Sequence, residues 1–176
     1  MSEMELPILF WIREHLTCPF LDEVVPVISS LARHGELWIA LAVVLLCVPK
    51  TRRVGLTMGL ALIVGYLLGN MLLKNLVARV RPYDLAQVEI IVNRLSDFSF
   101  PSGHTLCSFE AATVLWFYHR RWGYVALSLA TVIALTRLYL FVHYPTDVLA
   151  GAVMGVGIAL FAYWLISKLY KKRTLR

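Results

Sequence analysis

The sequence predicts an all-α integral membrane protein: a bundle of five to six transmembrane helices preceded by an amphipathic N-terminal helical segment. Three observations carry this prediction. Of 176 residues, 59% are hydrophobic and only 16% are charged, against roughly 45–50% and about 25% in soluble domains. Several apolar runs approach the roughly 20 residues that cross a bilayer. The charges gather in short stretches between those runs. The same composition excludes a disordered chain, which needs low hydrophobicity and high charge. The length fits a single domain over 1–176, with an amphipathic part (1–34) and a helical bundle (35–170).

The N-terminus opens Met1-Ser2-Glu3-Met4-Glu5, acidic where a signal peptide is basic. In residues 6–33, Arg13, Glu14, His15, Asp22 and Glu23 interrupt the apolar run, and Pro19 and Pro26 break it again. Leu6, Leu9, Phe10 and Ile12 form a stripe, so one or two amphipathic helices are expected at the membrane interface or packed on the bundle. An irregular sixth crossing is the alternative. Five spans follow, at 36–49, 54–73, 105–118, 122–142 and 148–167; the first and third are short and must borrow flanking residues. Glycines four apart (Gly55/Gly59, Gly65/Gly69, Gly151/Gly155) predict close helix–helix approach in lipid. Cys18, Cys47 and Cys107 have no paired spacing and read as three buried thiols.

Basic residues orient the bundle. Lys50, Arg52 and Arg53 follow the first span, Arg120 and Arg121 the third, and Lys168, Lys171, Lys172, Arg173 and Arg176 the fifth. With alternating spans these ten cations, with no acidic residue among them, share one face, which the positive-inside rule makes cytoplasmic. They also suit contact with anionic headgroups. No basic stripe is interleaved with exposed aromatics, so no nucleic-acid partner is expected.

The opposite face gathers three segments: Lys74 to Arg81-Pro82, Pro101-Ser102-Gly103-His104, and Thr136-Arg137 through His143 to Asp147. Physically they suit a dianionic group. Lys74 and Arg81, seven apart, are expected on one side of one helix. Arg offers a planar fork to phosphate oxygens and Lys a point charge. Ser102 and Gly103 open a helix, where free N–H groups and the dipole attract an anion. Arg137, expected two turns before the end of its span, marks a functional position because a membrane arginine is expensive. A carboxylate at Asp147 can fix one imidazole tautomer, so one histidine can attack phosphorus while the other protonates the leaving oxygen. Two histidines and an aspartate could also ligate zinc, but the surrounding cations disfavour a metal.

These segments resemble the signature of the type-2 phosphatidic acid phosphatase superfamily, K-x6-R-P, P-S-G-H and S-R-x5-H-x3-D, with Thr136 where the family usually has Ser. The resemblance implies a metal-independent reaction without a cofactor. His143 would be the nucleophile that forms a phosphohistidine, Asp147 would orient it, and His104 would be the general acid. Lys74, Arg81, Ser102, Gly103 and Arg137 would hold the phosphate. A site at headgroup depth favours a membrane lipid phosphate or diphosphate. Resemblance to small bacterial members implies undecaprenyl diphosphate, hydrolysed at the outer face of the plasma membrane, with the C-terminus cytoplasmic. Phosphatidic acid and phosphatidylglycerol phosphate are the alternatives. A reading of another class is a non-enzymatic transporter or scaffold with a relic anion site, against which intact His104, His143 and Asp147 argue.

Three residues outside the motifs are candidate pocket residues. Glu110 shares a helix face with Gly103 and Cys107 and is expected to find a hydrogen-bond partner inside the bundle. Tyr83 and Asp84 are candidates for the rim of the substrate entrance.

Overall fold

The computed structural model describes residues 2–174. Met1, Arg176 and the side chain of Arg173, the latter two counted above in the basic C-terminal cluster, lie outside the described residues. Among those described there is no strand, and the helices run α1 (Ser2–Leu16), α2 (Pro19–Ser30), α3 (Glu36–Cys47), α4 (Arg52–Gly65), α5 (Lys74–Val77), α6 (Pro82–Leu85), α7 (Gly103–Tyr118), α8 (Arg120–Tyr139) and α9 (Pro145–Thr174). A 3-10 turn at Arg33–Gly35 joins α2 to α3, and a π-helical stretch, Tyr66–Leu73, joins α4 to α5.

Among the described residues, four helical runs are long and apolar enough to cross a membrane: Pro19–Cys47, Arg52–Leu85, Arg120–Tyr139 and Pro145–Lys172. The expectation for residues 6–33 therefore divides. α1 stays apart as a surface helix, whereas α2 joins α3 across a kink and lengthens the short first span. Pro19 opens α2, where its missing N–H costs nothing. Pro26 lies inside α2 without ending it, as neighbouring helices allow for membrane helices. The kink falls at His34 and Gly35, both at positive φ. The expected third span is α7, whose 16 residues extend only about 24 Å.

α7 is the centre of the bundle. It packs between α8 and α9 and against α4, and its run from Ser108 to Leu115 is buried apart from Phe109. Its neighbours present small side chains: Ala61 from α4, Ala130 and Ala134 from α8, Ala159 and Ala162 from α9. Lipid gives no hydrophobic drive between helices, so close backbone contact has to hold them. Gly151 and Gly155 show this directly. A Cβ on Gly151 would stand 2.8 Å from the Ser102 carbonyl oxygen, and one on Gly155 2.7 Å from that of Leu106. Gly55 is equally tight against α3, but a Cβ on Gly59 would meet nothing, so that residue is not a packing glycine. Outward-facing Leu149, Val153, Phe161 and Trp164 leave an apolar surface on α9.

The three basic connections lie at one end. Arg53 at the start of α4 donates from Nη2 to Ser167 Oγ near the end of α9 (2.7 Å), and its guanidinium lies over the Tyr118 ring at the end of α7. Two of the three cysteines depart from expectation: Cys18 and Cys47 are exposed, and only Cys107 is partly buried.

Gly155→Val forces a side chain against the α7 backbone. Melting in detergent should show a loss of about 1–3 kcal/mol, while Gly59→Ala melts like the parent.

Candidate active site

At the end of the bundle opposite the basic connections, a cavity of about 1100 Å³ opens among α2, α3, α4, α7 and the loop 86–102. Lys74, Arg81, His104, Arg137 and His143 line its head. Ile39 and Val43 of α3, Ile63 of α4 and Leu67 of the π-helical stretch line it further along, and each is also half exposed on the outside of the bundle. The space therefore joins a cationic pocket to an apolar flank.

The cations are all buried, but they arrive by different routes. Lys74 and Arg81 do not share a helix. α5 ends at Val77, Ala78 takes a left-handed φ of 47°, and the chain runs extended to Arg81, where Pro82 opens α6. The expected continuous helix therefore breaks at Ala78, and Pro82 holds Arg81 extended, because proline disfavours the helical region for the residue before it. The two side chains meet all the same, on Asp97 of the loop. Lys74 Nζ pairs with Asp97 Oδ2 and donates to the Phe98 carbonyl oxygen (3.1 Å). Arg81 Nη2 donates to Asp97 Oδ1 (2.6 Å) and Arg81 Nε to the Asp97 carbonyl oxygen (2.8 Å). Arg137 sits in the last turn of α8, nearer its end than expected, because the helix stops at Tyr139. Its Nη1 donates to Ser29 Oγ of α2, while its Nε finds no partner among the described residues.

His143 follows the turn at Phe141 (φ 59°), just before Pro145 starts α9. Its Nδ1 lies 3.5 Å from Asp147 Oδ2 and 3.5 Å from Ser99 Oγ; its Nε2 faces Arg81 Nη1 at 3.4 Å. Asp147 is held on every side. Arg79 Nη1 donates to Oδ1 (2.5 Å), and the Tyr144 N–H (2.9 Å) and Ser99 Oγ donate to Oδ2. With Nδ1 directed at the carboxylate, the Nε2 lone pair is left for the cavity. Burial, then the charges of Arg81, Arg137 and Lys74, hold the His143 pKa well below the ordinary histidine value. The ring is therefore neutral at neutral pH, and protonation removes the lone pair only at pH below the usual range.

The PAP2 superfamily profile matches residues 54–171, which include all three motif segments. The chain belongs to the PAP2 superfamily. Among curated PAP2-type relatives, the bacitracin transport permease protein BcrC of Bacillus licheniformis is 32% identical over 148 residues, 82% of this chain and 72% of the relative. An undecaprenyl-diphosphatase of Sulfolobus acidocaldarius is 29% identical over 133 residues, 73% of this chain and 64% of that protein. The fold is similar to the crystal structure of Aquifex aeolicus LpxE, with a TM-score of 0.74 and 26% identity over 90% of this chain and 94% of that one.

The remaining PAP2 motif residues take distinct places. His104, in the first turn of α7, lines the cavity together with Gly103. Ser102 does not line it. Its N–H donates to the Asp147 carbonyl oxygen (3.1 Å) and its Oγ accepts from Thr105 Oγ1 (3.0 Å), so Ser102 couples α7 to α9, and the free N–H groups of that turn begin at Gly103. Tyr83 and Asp84 do not rim the cavity either. Buried Tyr83 donates to the Leu95 carbonyl oxygen and accepts from its N–H, pinning the loop, and Asp84 pairs with Arg94 at 3.0 Å. Glu110 lines the deeper cavity with Cys107, as their shared face requires, but its expected partner is missing: Oε1 is unpaired among the described residues and rests against Gly65.

Sequence reasoning missed Asp97, Ser99, Ser29 and Glu5 as site neighbours and left Arg79 without a role. A short polar residue in a loop carries no signal of its own, whereas Arg79, two before Arg81 on a face short of other cations, did carry one.

Asp97 occupies the cations that a phosphate would need. Burial would raise its pKa, but Lys74 and then Arg81 outweigh this and hold it at about 2, so it stays charged at every working pH. Asp97→Asn should lower the inhibition constant of inorganic phosphate by roughly two- to tenfold, the value of one weakened charged contact, measured by product inhibition.

Proposed function

We propose that this PAP2 protein hydrolyses a membrane lipid diphosphate or phosphomonoester through a phosphohistidine at His143, undecaprenyl diphosphate being its substrate. The chain is a hydrolase acting on phosphate esters or anhydrides. The observation that carries the mechanism is the orientation of His143, with Nδ1 toward Asp147 and Nε2 toward Arg81 in the cationic head of the cavity. In the first step the Nε2 lone pair forms the N–P bond as the bond from phosphorus to the leaving oxygen breaks, and His104 gives that oxygen its proton. In the second, His104 takes a proton from water, the water oxygen attacks phosphorus, and the N–P bond breaks to release inorganic phosphate. Lys74, Arg81 and Arg137, with the free N–H groups at Gly103, carry the charge that builds on the phosphoryl oxygens; Ser102 supports them from behind.

The membrane arrangement belongs to the same reading. α7 is too short alone but lies inside the bundle, and counting it makes five crossings, with α1 lying in the interface. This places the connections at Lys50–Arg53 and Arg120–Arg121, and the C-terminus, on the cytoplasmic side, and the site on the outer face. A lipid reaches the site sideways, its chain along the apolar flank of the cavity. The chain works as one domain. The undecaprenyl choice rests on the relative named for that substrate; phosphatidic acid and phosphatidylglycerol phosphate are its competitors.

His143→Ala should abolish phosphate release, a loss of about 10³-fold or more, and should leave no acid-labile phosphate on the protein after rapid quench. Retained activity would overturn the assignment of His143, whereas substrate crossing the membrane without phosphate release would favour a transporter with a relic anion site. Comparing kcat/KM for undecaprenyl diphosphate, phosphatidic acid and phosphatidylglycerol phosphate in mixed micelles ranks the substrates, and a lead by either of the last two overturns the first.

A further inference from the structure

We infer that Glu5, on the surface helix α1, and Arg79 form a positioning pair that orients Asp147 and restores its negative charge toward His143. The inference rests on the phosphohistidine reading above.

α1 is a poor place for a buried carboxylate. Met4, Ile8 and Trp11 are exposed, and only Glu5 and Leu9, one turn apart, are buried. A carboxylate taken out of water costs free energy unless fully partnered. Glu5 is fully partnered. Arg79 Nη2 donates to Oε1 (2.6 Å), the Thr146 N–H to Oε2 (2.8 Å), and Thr146 Oγ1 lies 2.8 Å from both oxygens. Burial would raise its pKa, but the Thr146 N–H and Arg79 hold it below its ordinary value, so it is charged.

Arg79 has a second arm. The same guanidinium that takes Glu5 donates from Nη1 to Asp147 Oδ1 at 2.5 Å and to Thr146 Oγ1 at 2.7 Å, and it lies over the Tyr144 ring, 3.8 Å from its centroid. The planar fork thus fixes the Asp147 carboxylate in rotation. With Oδ1 taken, Oδ2 is the oxygen left to face His143 Nδ1.

The charge count gives the pair its second effect. Arg79 and Asp147 alone are neutral together, and an aspartate neutralised so closely stabilises little positive charge on the imidazole. Glu5 brings the trio to a net −1. That negative charge favours the imidazolium-like form His143 approaches as it bonds to phosphorus. α1 also grips the segment that carries His143. Leu9 packs among Tyr83, Phe141, Val142 and Tyr144, and Phe10 meets the Phe141 ring edge-on at 5.2 Å.

The experiment compares Glu5→Gln, Glu5→Asp and Arg79→Lys in the full chain, with Glu3→Gln as a control on the exposed face of α1. Phosphate release from undecaprenyl diphosphate is followed in mixed micelles, together with melting temperature and inhibition by inorganic phosphate. Glu5→Gln should lower kcat about tenfold, the usual scale for a group that orients a catalytic one. The KM and the phosphate inhibition constant should move less than about twofold, because Lys74, Arg81 and Arg137 are untouched. Glu5→Asp keeps the charge and should recover part of kcat; Arg79→Lys, which loses the fork, should be worse than Glu5→Gln. Should Glu5→Gln fail to fold, the ordering of parent, Glu5→Asp and Arg79→Lys in kcat at constant KM decides the same question. A folded Glu5→Gln or Arg79→Lys with parental kcat overturns the inference. So does a kcat loss matched by the Glu3→Gln control. His143→Ala run alongside separates the two levels: an active His143→Ala defeats the phosphohistidine reading, whereas an inactive one beside a fully active Glu5→Gln defeats only the role of the pair.

Discussion

Lys74, Arg81 and Arg137 stand buried at one end of an apolar bundle, and the surrounding structure is arranged around the need to keep them there. An unpaired cation in a low-dielectric interior is among the costliest groups a fold can hold. Lys74 and Arg81 are held by the Asp97 carboxylate and by carbonyl oxygens of the loop 86–102. That loop is in turn pinned through Tyr83 at Leu95. Arg137 draws Ser29 from α2, which ties the kinked first span to the end of α8. The charge cluster therefore organises segments that share no helix.

The bundle supplies the rigidity such a cluster needs. α7 is short and buried, and glycines on α9 bring two backbones together beside the turn that carries Ser102, Gly103 and His104. Because the Ser102 N–H bonds the Asp147 carbonyl oxygen, the helix bearing one histidine is tied to the helix start beside the other. A displacement of about 1 Å would spoil the alignment of a nucleophile with phosphorus.

Much of the site was legible because motif spacing survives changes of local geometry. Lys74 and Arg81 converge on Asp97 although the helix between them breaks at Ala78, so the two side chains meet over a backbone other than the one expected. His143 and Asp147, four apart across a proline, met as read. The failures share one cause. Ser102 and Tyr83 have polar atoms that could face a ligand or a neighbour, and only the positions of Asp147 and Leu95 direct them to a neighbour. Glu110 was placed on the right face, but whether a partner stands opposite depends on α4, where Gly65 offers none.

Composition, the position of charge along the chain and three spaced motifs determined the solvent, the all-helical class and the chemistry, because each is a property of residue types at fixed separations. Which helices join, as α2 does with α3, depended on kink geometry that proline and glycine permit without dictating. The link from Glu5 through Arg79 to Asp147 depended on the tertiary structure alone: a carboxylate 142 residues upstream of the aspartate it serves leaves no periodicity, and only packing brings the two to one guanidinium.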